Sequence, residues 1–107
     1  MKNYTVIENC TREEVKGGNL LVRHAVINTV LGRNVEVYES MISDLKAEKA
    51  QVNRATANHI VANEVTVTEG LVRNIEAHYL RAENALIYRA KAGKIESKES
   101  LIFIKTR

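Results

Sequence analysis

Along most of this chain apolar or small side chains stand two residues apart, then three, then two again, and from Asn19 the whole pattern returns every fifteen residues. The repeats run 19–33, 34–48, 49–63, 64–78, 79–93 and 94–107. Numbered one to fifteen from Asn19, the inward candidates are positions two, four, seven, nine, twelve and fourteen. In the first repeat these are Leu20 and Val22, Ala25 and Ile27, Val30 and Gly32. Spacing by two is the strand period, and the extra residue after each pair is a corner. Three strands and three corners per repeat predict an all-β, single-stranded, three-sided β-solenoid (β-helix) of about seven coils, about fifteen residues each. The chain reads as one domain, 1–107, with 1–18 as a distorted first coil or cap and 19–107 as regular coils.

The inward columns support this frame residue by residue. In the five complete repeats they offer thirty positions, none charged and none an amide, with Ser40 the only polar side chain. A helical period would bring Glu and Arg into the core within two turns. Size alternates as well: position seven is small (Ala25, Ser40, Ala55, Gly70, Ala85, Ser100), whereas position nine beside it is mostly large. Positions twelve and fourteen reverse that order, as in Leu45 and Ala47, so three walls can meet without voids.

All ten asparagines, including Asn3, Asn9, Asn28, Asn58 and Asn84, fall at or beside corner positions of this frame. Asparagine accepts left-handed backbone angles, so these residues are expected to make the turns. Extending the frame backward places Ile7, Cys10, Val15 and Gly17 in inward columns, while Thr5 and Arg12 fit poorly. Cys10 takes the small slot of Ala25, a packing role in preference to a reactive thiol. At a strand spacing of roughly 4.8 Å, seven coils make a rod on the order of 30 Å long.

Composition narrows the setting. With four Tyr, one Phe and no Trp or Pro, the core is built from Val, Ile, Leu and Ala, which suits a narrow interior. One cysteine excludes an internal disulfide, and no secretory signal or run of ~20 apolar residues is present, so a cytoplasmic protein without a transmembrane segment is expected. The net charge of +3 is spread through every repeat. Arg89, Lys91, Lys94, Lys98, Lys105 and Arg107 give the last stretch a basic bias and form a candidate contact, but Glu96 and Glu99 stand among them, which argues against nucleic acid.

Chemistry finds few candidates. His24, His59 and His78 occupy different corner columns in different repeats, Glu13 and Glu14 read as a solvated turn, and Gly17-Gly18 as a turn between coils. No catalytic, cofactor or metal residue is assigned, and the chain is read as a non-enzyme.

The informative surface column is position eight: Val26, Met41, Thr56, Leu71, Leu86 and Leu101, widened by Tyr88 and Phe103 in column ten. These should face outward in the middle of the second wall, as a continuous apolar ridge of the kind that marks an interaction site. A homo-oligomer is the simplest outcome, as a lateral two-fold dimer or, through unpaired coil edges, an end-to-end polymer. Another protein is the other candidate partner.

Asn74-Ile75-Glu76-Ala77, followed after two residues by Leu80-Arg81-Ala82, with Asp44-Leu45-Lys46-Ala47 and His59-Ile60-Val61-Ala62-Asn63-Glu64-Val65-Thr66-Val67, resembles the coil pattern of bactofilins, the bacterial polymer-forming cytoskeletal proteins. The resemblance runs roughly from Val35 to Ile104. It implies a right-handed β-helix whose subunits join end to end into nucleotide-independent filaments that scaffold proteins or the membrane. Pentapeptide-repeat proteins share the five-residue unit but build square coils from four of them, whereas here the size pattern returns at fifteen. The expectation is thus a non-catalytic structural or scaffolding protein that self-associates through the ridge, the open ends or both. The alternative is a macromolecule-binding module or inhibitor using the same ridge or the basic carboxyl-terminal coil.

Overall fold

The computed structural model describes residues 5–106. Twelve strands follow one another: β1 Thr5–Glu8, β2 Thr11–Lys16, β3 Asn19–Arg23, β4 Val26–Leu31, β5 Asn34–Tyr38, β6 Met41–Lys46, β7 Lys49–Asn53, β8 Thr56–Val61, β9 Glu64–Thr68, β10 Leu71–Glu83, β11 Leu86–Lys98 and β12 Leu101–Thr106. All pairings are parallel and displaced by one repeat, so Leu20, Val35, Ala50, Val65, Leu80 and Ile95 form a single file up the tube. This is a β-solenoid of about seven turns with about fifteen residues between equivalent positions. Its extents are 32 × 23 × 22 Å.

The walls are joined less evenly than the spacing predicts. β1, β3, β5, β7 and β9 form wall one, whereas β2, β4, β6 and β8 each cover walls two and three as one bent strand. The bend lies at position ten, where pairing jumps from Ile27↔Ile42 to Thr29↔Asp44 and leaves Asn28 and Ser43 out of the ladder. In β10 and β11 the strand also runs on through the next corner, so one 13-residue strand covers all three walls. Two of the three corners are bends in extended chain and need no turn residue.

Among the described residues only position six turns through the left-handed region, and it does so in every coil: Asn9, His24, Glu39, Arg54, Glu69, Asn84 and Glu99 have φ between 45° and 52°. The assignment of the turns to asparagine is thus corrected. Asn9 and Asn84 occupy this corner, Asn28 and Asn58 sit at the position-ten bend, and Asn3 lies outside the described residues. Five of the seven corner residues lack asparagine's local preference, and four of these, His24, Glu39, Arg54 and Glu69, are held by the coil above. The His24 amide donates to the Tyr38 carbonyl at 3.2 Å and the Arg54 amide to Thr68 at 3.0 Å. Their side chains stack as a charge ladder, with His24 Nε2 3.3 Å from the Glu39 carboxylate and Arg54 Nε 3.0 Å from Glu69. At the third corner one carbonyl receives two amides, Gly18 accepting from Arg33 and Asn34 at 2.8 and 2.9 Å. Beside it the Asn34 side-chain amide donates to Asn19 Oδ1 at 2.8 Å.

The interior follows the predicted columns. Of the thirty inward positions in the regular coils only Gly32, Ala47, Gly70 and Ala77 are less than fully buried. Three of these are at position fourteen, beside a corner. The small columns are small by necessity: a Cβ on Gly70 would lie 3.0 Å from both the Ala55 carbonyl oxygen and Val67 Cγ1, and one on Gly32 2.9 Å from Val35 Cγ2. Among the described residues no buried side-chain polar atom lacks a partner.

The first coil belongs to the tube but is incompletely covered. Ile7 and Val15 are buried and Cys10 is half-buried against the core, whereas Thr5, Arg12 and Gly17 are exposed. Gly17 keeps its inward place, since a Cβ there would lie 2.7 Å from Leu20 Cδ2, and it is exposed because no described coil lies below it. Among the described residues no helix is long and apolar enough to cross a membrane.

Candidate interaction surface

Wall two is presented by the short stretch between the left-handed corner at position six and the bend at position ten. Position seven points in, eight out and nine in, the alternation any strand imposes. Position eight is therefore the outward residue at the centre of the wall. Register stacks it as Thr11, Val26, Met41, Thr56, Leu71, Leu86 and Leu101, each paired with the next.

Exposure singles out this wall. Seven large hydrophobic residues are exposed among the described ones, and six of them are Val26, Met41, Leu71, Leu101, Tyr88 and Phe103, at 46–61%. Leu86 is half-buried between Leu71 and Leu101 in the same file. Tyr88 and Phe103 stand one above the other with ring centroids 6.0 Å apart and planes tilted by 58°. The seventh exposed residue, Val6, lies on wall one of the first coil, in a column that had not been singled out.

The ridge does not stand alone. Column nine points inward between outward columns eight and ten, which leaves a shallow trough along the wall. Asn28, Ser43, Asn58 and Arg73 form its far rim through the middle coils, replaced by Tyr88 and Phe103 near the last. A second depression lies on the other side, between Leu71 and Leu86 and the corner residues Arg54, Glu69 and Asn84. Wall two is thus a rib flanked by troughs, apolar at the centre and polar at the edges, the lateral profile of an interface core and rim.

The basic residues are not brought together. Arg89 lies beside Tyr88 at the bend, Lys91 on wall three, Lys94 at the corner before wall one, Lys98 at the far end of that wall, and Lys105 above Ala90 in column twelve. They ring the tube. Lys94 is engaged by Glu96 at 3.8 Å and sits 5.8 Å from the centre of the Tyr79 ring. Arg107 lies outside the described residues.

The remaining polar groups make local pairs. The Tyr79 hydroxyl donates to the Glu96 carboxylate, which holds its pKa above the ordinary phenol value. Glu14 pairs with Lys16 at 3.4 Å. His59 lies in register between Asp44 and Asn74, away from His24 and His78. Among the described residues no three His, Cys, Asp or Glu side chains converge as metal ligands would.

No family model matches the chain, and no curated protein or solved structure is detectably similar to it.

Proposed function

We propose that this protein is a non-catalytic scaffold that self-associates through wall two, two copies packing face to face about a two-fold axis. The observation that carries the reading is the gathering of six of the seven exposed large hydrophobic residues onto this one face. Apolar side chains aligned on one wall lose more water-exposed area in a single contact than the same residues scattered. Rib and trough lie side by side, so the rib of one copy can enter the trough of the other, and a two-fold axis repeats that contact. The self-complementary patch of an isologous dimer has this form.

Sedimentation over a range of concentrations tests the reading, with Leu71→Glu and Leu86→Glu together as the disrupted form. A monomer at every concentration would transfer the wall to a different macromolecular partner. A cytoplasmic setting belongs to the proposal, because Cys10 as the one thiol makes stability independent of disulfide formation. Resemblance to bactofilins would add growth from the coil ends, which turns on the chemistry of those ends.

A further inference from the structure

We propose that both ends of the solenoid are closed to further coils by charges standing in its interior columns, Arg12 at one end and Lys105 at the other, so that copies do not join end to end. Arg12 is in register with Ile27 at position nine, and Ile27 is 1% exposed. Lys105 is in register with Ala90 at position twelve, and Ala90 is 0% exposed. Paired residues of an in-register parallel ladder project to the same side. Both charged side chains therefore start over the apolar interior, and both are exposed because no described coil covers them.

A second copy stacked on the last coil with the register continued would set its Thr5 over Ile95, Ile7 over Ser97, Arg12 over Ile102 and Val15 over Lys105. Arg12 would be enclosed between Ile102 and Ile27, and Lys105 between Ala90 and Val15. No interior column contains an Asp or Glu to receive either charge. An unpaired charge inside an apolar tube is among the least favourable arrangements an interior can adopt. Turning the second copy by one or two walls changes the neighbours and leaves both charges inside.

The backbone alone favours the opposite outcome, since an unpaired strand edge is a template for another strand. β1, β2 and β12 each present such an edge, and inward-pointing charge is a recognised way to block it. Only one charged residue appears in the interior columns of each end coil among the described residues, while the five coils between them have none.

The inference goes beyond the lateral contact and is tested without it, in the 107-residue chain carrying Leu71→Glu and Leu86→Glu. Into that background Arg12→Ile and Lys105→Ile are introduced together. The expected result is rods many times longer than the 32 Å subunit by electron microscopy, with a sedimenting mass that rises with concentration, while the background protein stays a single particle. Rods from the background protein would overturn the proposal, as would a soluble, β-folded isoleucine variant that stays a single particle. If that variant does not give a soluble β-folded protein, Arg12→Met with Lys105→Met keeps the side-chain length and is judged by the same outcomes. Failure of the lateral reading shows separately, as an unchanged mass when the two glutamates are introduced.

Discussion

The hydroxyl of Ser40 accepts a hydrogen bond from the backbone N–H of Ala25 at 3.1 Å, fifteen residues earlier, and donates one to the carbonyl of Tyr38 at 2.8 Å. Position seven follows the left-handed residue, and its amide is turned away from the strand ladder toward the next coil. A serine there is small enough for the slot and supplies an oxygen to that amide. Ser100 does the same for Ala85 at 3.0 Å. Ser40→Ala keeps the size of the column but removes the acceptor, so it should destabilise the fold by about 1 kcal/mol. Urea unfolding checks this, and a variant as stable as the parent would show that the bond contributes nothing net.

Position six provides a sharper test, because two substitutions should act in opposite order to their strand preferences. Glu69 has φ 52°, a conformation glycine adopts freely and a β-branched residue adopts only with strain. Glu69→Val should cost about 1–2 kcal/mol, whereas Glu69→Gly should match or exceed the parent, since relieved backbone strain offsets an exposed ion pair to Arg54 worth about 0–1 kcal/mol. In an ordinary strand valine would be the better residue. Thermal unfolding that ranks valine above glycine would contradict the left-handed corner.

The contrast between these two sites explains what the sequence discloses. Ile27, Leu45 and Ile75 announce their columns because size and polarity in a strand report directly on the side of the wall. Glu39, Arg54 and Glu69 announce nothing: their left-handed angles come from amides bonded to the coil above and from charges stacked between coils. Asparagine's intrinsic preference drew attention to corners that merely bend. The position-ten bend is legible only in the three-residue step between columns nine and twelve, since Asn28, Ser43 and Arg73 leave the ladder there with no turn chemistry in common. The ridge could be read from one column, but the trough beside it arises from three columns together, and so does the dispersal of the basic residues around the tube.

Burial of a carboxylate probes the interior directly. Ile75 is 1% exposed and stacks between Ile60 and Ala90, with no polar side chain in its column through the regular coils. Ile75→Asp, or Ile42→Asp, would enclose an acid without a partner, a cost of several kcal/mol against a total stability of about 5–15 kcal/mol. Loss of the β-sheet circular dichroism signal is the expected outcome. A folded Ile75→Asp variant with normal thermal stability would mean that position twelve is not interior, and a folded Ile42→Asp variant would say the same of position nine.

Wall two makes the complementary prediction, in which charge is tolerated by the fold and not by the assembly. Leu71 is 46% exposed, and Leu86 is half-buried directly above it in register. Glutamates at both sites stand one over the other, so mutual repulsion and lost packing should together cost about 1–2 kcal/mol, too little to unfold the chain. Across a two-fold contact the same pair confronts apolar side chains, or its own copies, with charges that would have to be stripped of water. The double variant should therefore keep its circular dichroism spectrum and sediment as a monomer at concentrations where the parent is dimeric. Phe103→Arg, placed 6.0 Å from the Tyr88 ring at the end of the same wall, should weaken association in the same direction without affecting the regular coils. A parent that is monomeric throughout, or variants that dimerise as it does, would remove the ridge from any account of assembly.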